Sequence, residues 1–237
     1  MSTASEIILY FFLYSVAGWL WETAYCSINA GRFVYRGFLR GPYCPIYGFG
    51  VLLVLYIVRP LRETILDLFI FSAIAVTVLE YFTACLLQRV FKVTLWNYDD
   101  MPLNIQGRVA VPVSVFWGFC CMVIVEFVQP KAALLVSWLY ASFGVWLPAF
   151  VVVVMSADTV YSVTKMLAFK KIMLALSRDL RNKAETYRGK AEDLRQKEAL
   201  AVRSFDRRIL NAFPGIKIEG IKDIERLKRS FSGRNRR

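Results

Sequence analysis

The sequence predicts an all-α fold: a polytopic membrane helix bundle of about five spans, followed by a cytoplasmic amphipathic helical tail. Long apolar runs recur through the first 155 residues, and the mean hydropathy of the chain is +0.45. The basic excess lies entirely beyond residue 164. Apolar residues at the start of the tail recur every three or four positions, which is the period of an amphipathic helix.

The apolar runs divide residues 1–160 into the spans of a membrane domain. A helix needs about 20 mainly apolar residues to cross a bilayer. We therefore predict spans at about 7–29, 43–58, 64–91, 109–127 and 132–155, of which 43–58 is the shortest. We interpret the first run as a retained helix, because no Lys or Arg precedes it and Glu22 stands where a signal peptide would have its small-residue cleavage site.

The distribution of charge along the chain predicts its orientation in the membrane. Residues 165–237 carry 21 Lys or Arg and 9 Asp or Glu, whereas residues 1–164 carry nine of each. Basic segments beside spans mark the cytoplasmic side and contact anionic lipid headgroups. We therefore expect the tail, 161–237, to be cytoplasmic and to bind the anionic inner leaflet of the cell membrane. The N-terminus is then outside, and no nucleic-acid partner is expected.

The tail pattern predicts one long helix, a break and a shorter helix. Apolar residues recur at helical spacing from Met166 to Leu194. Pro214 and Gly215 then interrupt the pattern, and a short basic helix is expected after them.

Composition excludes several classes of functional site. The chain has no histidine, so His-based triads and His-ligated zinc or haem are excluded. Its five cysteines show no CxxC spacing, and we interpret them as small buried residues. No Walker A, GxSxG or helix-opening GxGxxG motif occurs. We therefore expect no cofactor and no metal, and ATP hydrolysis would have to come from another subunit.

Two glutamates inside predicted spans are the strongest functional signal. Glu22 lies in WLWETAY and Glu80 in TVLEYFTA. A charge within the bilayer costs about 2.5–3.5 kcal/mol and usually faces a partner or a cavity. Arg36 and Arg108, each beside a glycine in a predicted cytoplasmic loop, are the expected partners. Such Glu–Arg pairs either hold helices in register or form a pocket that binds an anionic or zwitterionic ligand or passes a proton. The two interpretations are compatible.

Two predicted cytoplasmic loops share bending residues. Positions that would bend the backbone, or lie beside the bend, are Gly37, Gly41, Pro42, Pro45, Tyr47, Gly48 and Gly107, and the second loop adds Trp96, Tyr98 and Asn104 as pocket candidates. Non-helical backbone at membrane depth is stable only where protein or a water-filled cavity covers it. The bends therefore predict a site shared by the two loops, while Glu126 and Asp158 are interpreted as interfacial residues without a function. Whether 30–45 enters the membrane or lies on it stays open.

The two loops also occupy equivalent places along the chain. Each follows a span that contains a glutamate and precedes a span that contains glycine. This order is that of a parallel internal repeat of the kind found in transporters.

Three stretches resemble a known family. GWLWETAY (18–25), FVYRGFLRGPYCPIYGFG (33–50) and LWNYDDMPLNIQGRV (95–109) are similar to motifs of bacterial membrane proteins labelled putative ABC-transporter permeases of "type IV", or CmpB-like. The resemblance covers about residues 8–127 and implies a transport permease. It marks the loop residues above, together with Glu22, Arg36 and Arg108, as motif positions. The chain lacks the EAA-type motif by which importer permeases dock an ATPase.

Three functions from different classes remain open. The first is a transporter or permease-like subunit with a Glu/Arg pocket at the cytoplasmic face, partnered by an ATP-binding subunit or a second copy of the chain. The second is an intramembrane enzyme on a lipid or lipid-linked substrate, although no enzyme motif favours it. The third is a non-catalytic membrane scaffold or sensor.

Overall fold

A computed structural model describes residues 1–184, 212–213 and 217–218 of the chain. Its five helices are α1 (Thr3–Ala30), α2 (Pro45–Leu61), α3 (Ile65–Phe91), α4 (Val111–Phe143) and α5 (Trp146–Ala184). Four short strands are β1 (Val93–Thr94), β2 (Asn104–Ile105), β3 (Val109–Ala110) and β4 (Lys217–Ile218). The predicted all-α fold is confirmed.

Four of the helices have the length and apolar composition of a membrane span. They are α1, α3, α4 and the Trp146–Lys171 part of α5, whereas α2 is a shorter apolar helix. The protein is therefore a multi-pass membrane protein whose second apolar segment is too short to cross the bilayer as a helix alone.

Polar side chains cap the starts of α1 and α3. The Ser2 hydroxyl accepts a hydrogen bond from the Ser5 N–H. Thr64 and Asp67 form a reciprocal capping box, in which each side chain accepts from the other residue's N–H, at 3.1 and 2.8 Å. These bonds satisfy N–H groups that have no partner inside the helix, and a cap of this kind is typically worth about 1 kcal/mol.

After α1 the chain turns back and runs along the same helix. The Val34 N–H donates to the Ser27 hydroxyl at 2.9 Å, and the Cys44 N–H donates to the Ser15 carbonyl at 2.9 Å. About 18 Å of helix separates Ser27 from Ser15. Loop 31–44 therefore reaches the middle of α1, and α2 begins there at Pro45. Loop 31–44 and α2 together run back along α1. Because the loop covers the first part of this path, a helix as short as α2 can complete it.

The loop after α3 returns in the same manner. Near the end of α3, Gln88 accepts a hydrogen bond from Arg108, and farther back Glu80 accepts one from Tyr98. The antiparallel β2–β3 hairpin then leads into α4 at Val111. The order of a long helix, a returning loop and a second helix thus occurs twice in the same direction.

Both α2 and α4 contain a π-helical turn shortly before a proline. The turns are Val54–Val58 and Ile124–Val128, and Pro60 and Pro130 follow them. A proline has no N–H, and its ring clashes with the carbonyl of the residue four positions earlier. In the wider turn of α4 the Gln129 N–H reaches the Ile124 carbonyl. The helix can therefore pass the proline without ending.

The end of α4 differs from the prediction. We expected one span to end at 127 and the next to begin at 132, yet the helix continues to Phe143. The π turn accommodates Pro130, so the proline does not separate two helices. The chain turns instead at Gly144, which has φ of +59° and leaves helical geometry before α5 begins at Trp146. Glycine adopts this conformation without the steric cost of a side chain.

Two of the three buried apolar clusters among the described residues lie at different levels of the bundle. One buried cluster joins the first four helices near the start of α1 and includes Tyr10, Val54, Leu68 and Val136. A second cluster lies where α1 and α3 end; its members are Phe91, Val93, Leu95, Met166, Phe169, Ala212 and Phe213. We call this side of the molecule the loop end, because both returning loops start there.

Part of the predicted tail lies within the described residues. Helix α5 carries the backbone on to Ala184, and β4 pairs antiparallel with β1, with Val93 opposite Ile218 and Thr94 opposite Lys217. The predicted continuation of the helix to 194, the break at Pro214 and the short basic helix after it lie outside the described residues.

Candidate functional site

Glu22 and Arg36 form an ion pair between α1 and the loop that returns along it. The Arg36 Nη2 atom lies 3.2 Å from Glu22 Oε1, and the two side chains are 12% and 26% exposed. The Arg36 N–H also donates to the Thr23 hydroxyl at 3.4 Å, which holds the loop backbone beside the carboxylate. Breaking one side of such a shielded pair would leave the other charge without a partner, which is costly.

The second oxygen of Glu22 is engaged by the start of α2. The buried Cys44 thiol donates to Glu22 Oε2 with a sulfur–oxygen distance of 3.6 Å. In the first turn of α2, the Tyr47 ring lies directly against Gly18, where an added Cβ would be only 2.2 Å from Tyr47 Cγ. The missing side chain at Gly18 therefore lets the tyrosine lie between α1 and α2, where its ring contacts Trp117 of α4 at a centroid distance of 5.4 Å.

Glu80 is bonded to the second loop. The Tyr98 hydroxyl donates to Glu80 Oε1 at 3.0 Å. Burial raises the pKa of the Tyr98 phenol above its usual range, the charges of Glu80 and Glu22 raise it further, and Arg36 opposes them. Tyr98 is therefore close enough to both glutamates and to Arg36 to respond to their charges. We call Glu22, Arg36, Glu80 and Tyr98 the polar cluster.

Arg108, the other expected partner of the glutamates, is directed elsewhere. Its guanidinium donates to Gln88 at 2.8 Å and to Gln106, and lies over the Tyr81 ring, 5.4 Å from the centroid. These contacts fasten the second loop to α3 nearer the loop end than Glu80. The structure thus brings Arg36 to a glutamate, whereas the described bonds of Arg108 are with neutral side chains.

Trp96 and Asn104 shape the second loop. The Trp96 indole N–H donates to the Arg108 carbonyl at 3.0 Å. The Asn104 amide donates to the Asp99 carbonyl at 3.2 Å, and its oxygen accepts from the Gly107 N–H at 3.0 Å. Both side chains therefore bond to backbone of their own loop, which supports the position of Tyr98.

The predicted bending residues occupy turns and close contacts. Gly37 and Gly107 have φ of +108° and +65°, which favour glycine, and Pro45 begins α2. At Gly48 an added Cβ would lie 2.4 Å from the Ser15 hydroxyl, so this glycine permits the close approach of α2 to α1. Gly41 and Pro42 lie in the turn that precedes α2.

Asp158, interpreted from the sequence as interfacial, binds the first loop. Its carboxylate accepts from the N–H groups of Arg40 and Gly41 at 3.1 and 2.7 Å, and from the Tyr43 hydroxyl at 2.7 Å. The Ser162 hydroxyl supplies a further bond at 3.1 Å. Asp158 therefore fastens the loop that carries Arg36 to α5. The sequence contained a signal for this role of Asp158. It has a carboxylate at the end of an apolar run and a glycine-containing loop whose N–H groups require an acceptor.

The polar cluster combines two carboxylates, one guanidinium and one phenol. Such a set can bind a group of either charge or carry a proton between the carboxylates. In the part of the chain that the structure describes, no three Cys, Asp or Glu side chains come together as a metal site would require.

One comparison with known proteins found a match. The model of a family described as "Putative ABC-transporter type IV" matches residues 9–163. No curated protein and no solved structure matches the chain. The matched range contains both returning loops and all four members of the polar cluster.

Proposed function

Since the chain belongs to the family described as "Putative ABC-transporter type IV", we propose that it is a transporter-like membrane subunit that binds its ligand at the polar cluster. One observation carries the proposal. Each glutamate is bonded to a residue of the loop that follows its own helix, Glu22 to Arg36 at 3.2 Å and Glu80 to Tyr98 at 3.0 Å. A ligand at this point would contact both halves of the membrane domain, as in transporters built from two repeats.

The balance of charge in the polar cluster supports a zwitterionic ligand. Arg36 neutralises Glu22, whereas Glu80 is bonded to a neutral phenol. A positive group of the ligand would therefore be attracted to Glu80. A negative group would be attracted to Arg36, since guanidinium groups bind carboxylates and phosphates strongly. When no ligand is bound, a proton on Glu80 would neutralise the negative charge of the polar cluster that Arg36 leaves unbalanced.

The proposed site opens toward the cytoplasm. The returning loops and the start of the basic tail share the loop end of the bundle, and basic segments favour the cytoplasmic side. Anionic lipids of the inner leaflet are the proposed partners of the tail. An ATP-binding subunit is the proposed protein partner, because the family description names ABC transporters.

The test compares variants of the polar cluster with a variant of a separate ion pair, Arg62–Glu126, by complementation and native mass spectrometry. Arg36→Gln and Glu80→Gln each remove one charge from the polar cluster, whereas Arg62→Gln removes the partner of Glu126 outside the cluster. We expect wild type and Arg62→Gln to restore growth of a deletion strain and to retain a co-purified small molecule in mild detergent. Arg36→Gln should lower occupancy about 10-fold or more, as expected for loss of a bond to a charged group.

Complementation, native mass spectrometry and an assay of lipid turnover together distinguish the other functions. Full complementation by both Arg36→Gln and Glu80→Gln would contradict a ligand site at the polar cluster. A mass that corresponds to a nucleotide-binding subunit would support the permease, whereas turnover of a lipid by the purified chain alone would favour the enzyme.

A further inference from the structure

A short segment of the C-terminal region lies against Arg36. The Ala212 carbonyl accepts a hydrogen bond from Arg36 Nη1, and the Arg36 guanidinium carbon lies 4.5 Å from the centroid of the Phe213 ring. Both residues are buried, with 0% and 5% of their surface exposed. We propose that residues 212–213 and 217–218, which we call the strap, form a closing device that covers the Glu22–Arg36 pair from the loop end.

Two further contacts hold the strap. Phe213 packs in the apolar cluster with Phe91, Val93 and Phe169. A few residues on, β4 adds to β1, with Val93 opposite Ile218 and Thr94 opposite Lys217. The strap therefore contacts the end of α3, helix α5 and the polar cluster. All of these elements precede it in the sequence.

The bonds between the strap and Arg36 are of a kind that a ligand can replace. Arg36 uses one nitrogen for the Glu22 carboxylate and another for a neutral carbonyl of the strap. Its Nε is buried without a hydrogen-bond partner among the described residues. A negative group of a ligand would bond more strongly to the guanidinium than the neutral Ala212 carbonyl does. Binding at Arg36 and docking of the strap are therefore competing events.

The strap is also attached by a small number of backbone bonds. β1 and β4 are two residues each, and short pairings of this kind open at low free energy compared with the packed helices. Opening would expose Arg36 and Glu22 while α1 and its returning loop stay in place. This inference deepens the proposed function, since it assigns control of access to the same site, but strap docking itself requires no transport.

Disulfide trapping measures docking directly. Facing residues of an antiparallel pair have Cα atoms about 4.5–5.5 Å apart, which suits a disulfide. Val93→Cys and Ile218→Cys, in the full chain with its native cysteines replaced by alanine, should therefore cross-link under mild oxidation. Before oxidation, adding Arg36→Gln should speed alkylation of the two introduced thiols about tenfold, because the bond to Ala212 and the cation–ring contact no longer favour the docked strap. Arg62→Gln is the matched control and should leave the rate unchanged.

Alkylation of Cys44 measures the opposite state. The thiol is buried beside Glu22, so it reports water and reagent reaching the ion pair. In full-length protein that keeps Cys44 alone, Phe213→Ala should speed alkylation by roughly tenfold, since most of the packing surface of the strap is lost. Phe33→Ala is the control, because Phe33 belongs to the first loop but is 72% exposed.

The outcomes decide the proposal without a known substrate. Failure of the introduced cysteines to cross-link, equal alkylation of them with and without Arg36, or equal Cys44 alkylation with and without Phe213 would overturn the strap as a closing device. Any of these results would leave the proposed ligand site standing. Conversely, the strap could dock as described while the Arg36→Gln variant fully complements the deletion strain. That pair of results would refute the ligand site and leave the strap standing.

Discussion

Glu22 and Glu80 each bond to a residue of the loop that follows their own helix. Glu22 pairs with Arg36 at 3.2 Å and Glu80 accepts from Tyr98 at 3.0 Å. Their position inside apolar runs was enough to predict from the sequence that both glutamates face a partner or a cavity, because an unpaired charge is costly in a membrane. The choice of Arg36 over Arg108 depends on where each loop returns, which the spacing of residues does not reveal.

Close contact between α1 and α2 depends on single glycines. At Gly48 an added Cβ would lie 2.4 Å from Ser15 Oγ and 2.6 Å from the Phe11 carbonyl, so Gly48→Ala must push the helices apart. We expect this change to lower the free energy of unfolding by about 1–3 kcal/mol, which is typical of overpacking. Thermal unfolding in detergent measures the effect.

Gly50 provides the control on the same helix. Its nearest non-neighbour atom to an added Cβ is Val76 Cγ1 at 3.4 Å, close to an ordinary contact. Gly50→Ala should therefore change the melting temperature much less than Gly48→Ala. Equal effects of the two substitutions would mean that helix propensity, and not the approach of α2 to α1, determines the result.

At the scale of elements, the returning loops are what distinguishes this bundle. Loop 31–44 is fastened to α1 through Ser27, Thr23 and Ser15, and to α5 through Asp158. The glycines and prolines predicted a bend, but the same residues also suit a loop that lies on the membrane surface. The hydroxyl groups of Ser27 and Thr23 and the carbonyl of Ser15 decide between the two, because they offer acceptors to the loop backbone along the helix.

Removal of the acceptor at Asp158 should loosen the first loop. Asp158→Asn replaces one carboxylate oxygen by an NH2 group, so the side chain can accept from only one of the Arg40 and Gly41 N–H groups, which are bonded to different oxygens. We expect a loss of about 1–3 kcal/mol in the free energy of unfolding, the usual cost of an unsatisfied buried group. Chemical denaturation in mixed micelles, with Asp100→Asn in the exposed part of the second loop as the control, tests this expectation.

A matching loss in both aspartate variants would show that net charge, rather than the bonds of Asp158, matters. The loop attachment would be disproved if Asp158→Asn had wild-type stability and the Arg40–Tyr43 segment remained protected from proteolysis.

At the scale of the whole molecule, the two units α1–loop–α2 and α3–loop–α4 run in the same direction. Each unit carries one glutamate that is bonded to its returning loop, and one π turn before a proline. The helix boundary in α4 was predicted 16 residues too early at its end, because a proline in an apolar run looks like a helix end when the compensating π turn is not visible.

The proposed orientation of the chain in the membrane can be measured by cysteine labelling. Asp100 is exposed in the second loop and Glu63 is exposed between α2 and α3, on opposite ends of the bundle. In a chain without native cysteines, we expect an impermeant maleimide to label Glu63→Cys in intact cells and Asp100→Cys only after permeabilisation. The physical reason is the basic excess of the tail, which favours the cytoplasmic side.

The reverse labelling pattern would contradict the proposed orientation and with it a cytoplasmic site. Labelling of both positions in intact cells would instead indicate that the reagent had crossed the membrane, so that the labelling did not report the topology.

The sequence by itself determined the all-α membrane fold, the approximate helices and the two glutamates, because hydrophobicity, charge and desolvation act residue by residue. Only the tertiary structure decided that the loops return to the middle of α1 and along α3, that Asp158 holds the first loop, and that Phe213 lies against Arg36. These contacts join segments up to 177 positions apart. Their partners are set by which surfaces meet when the helices pack, and a local pattern along the chain does not contain that information.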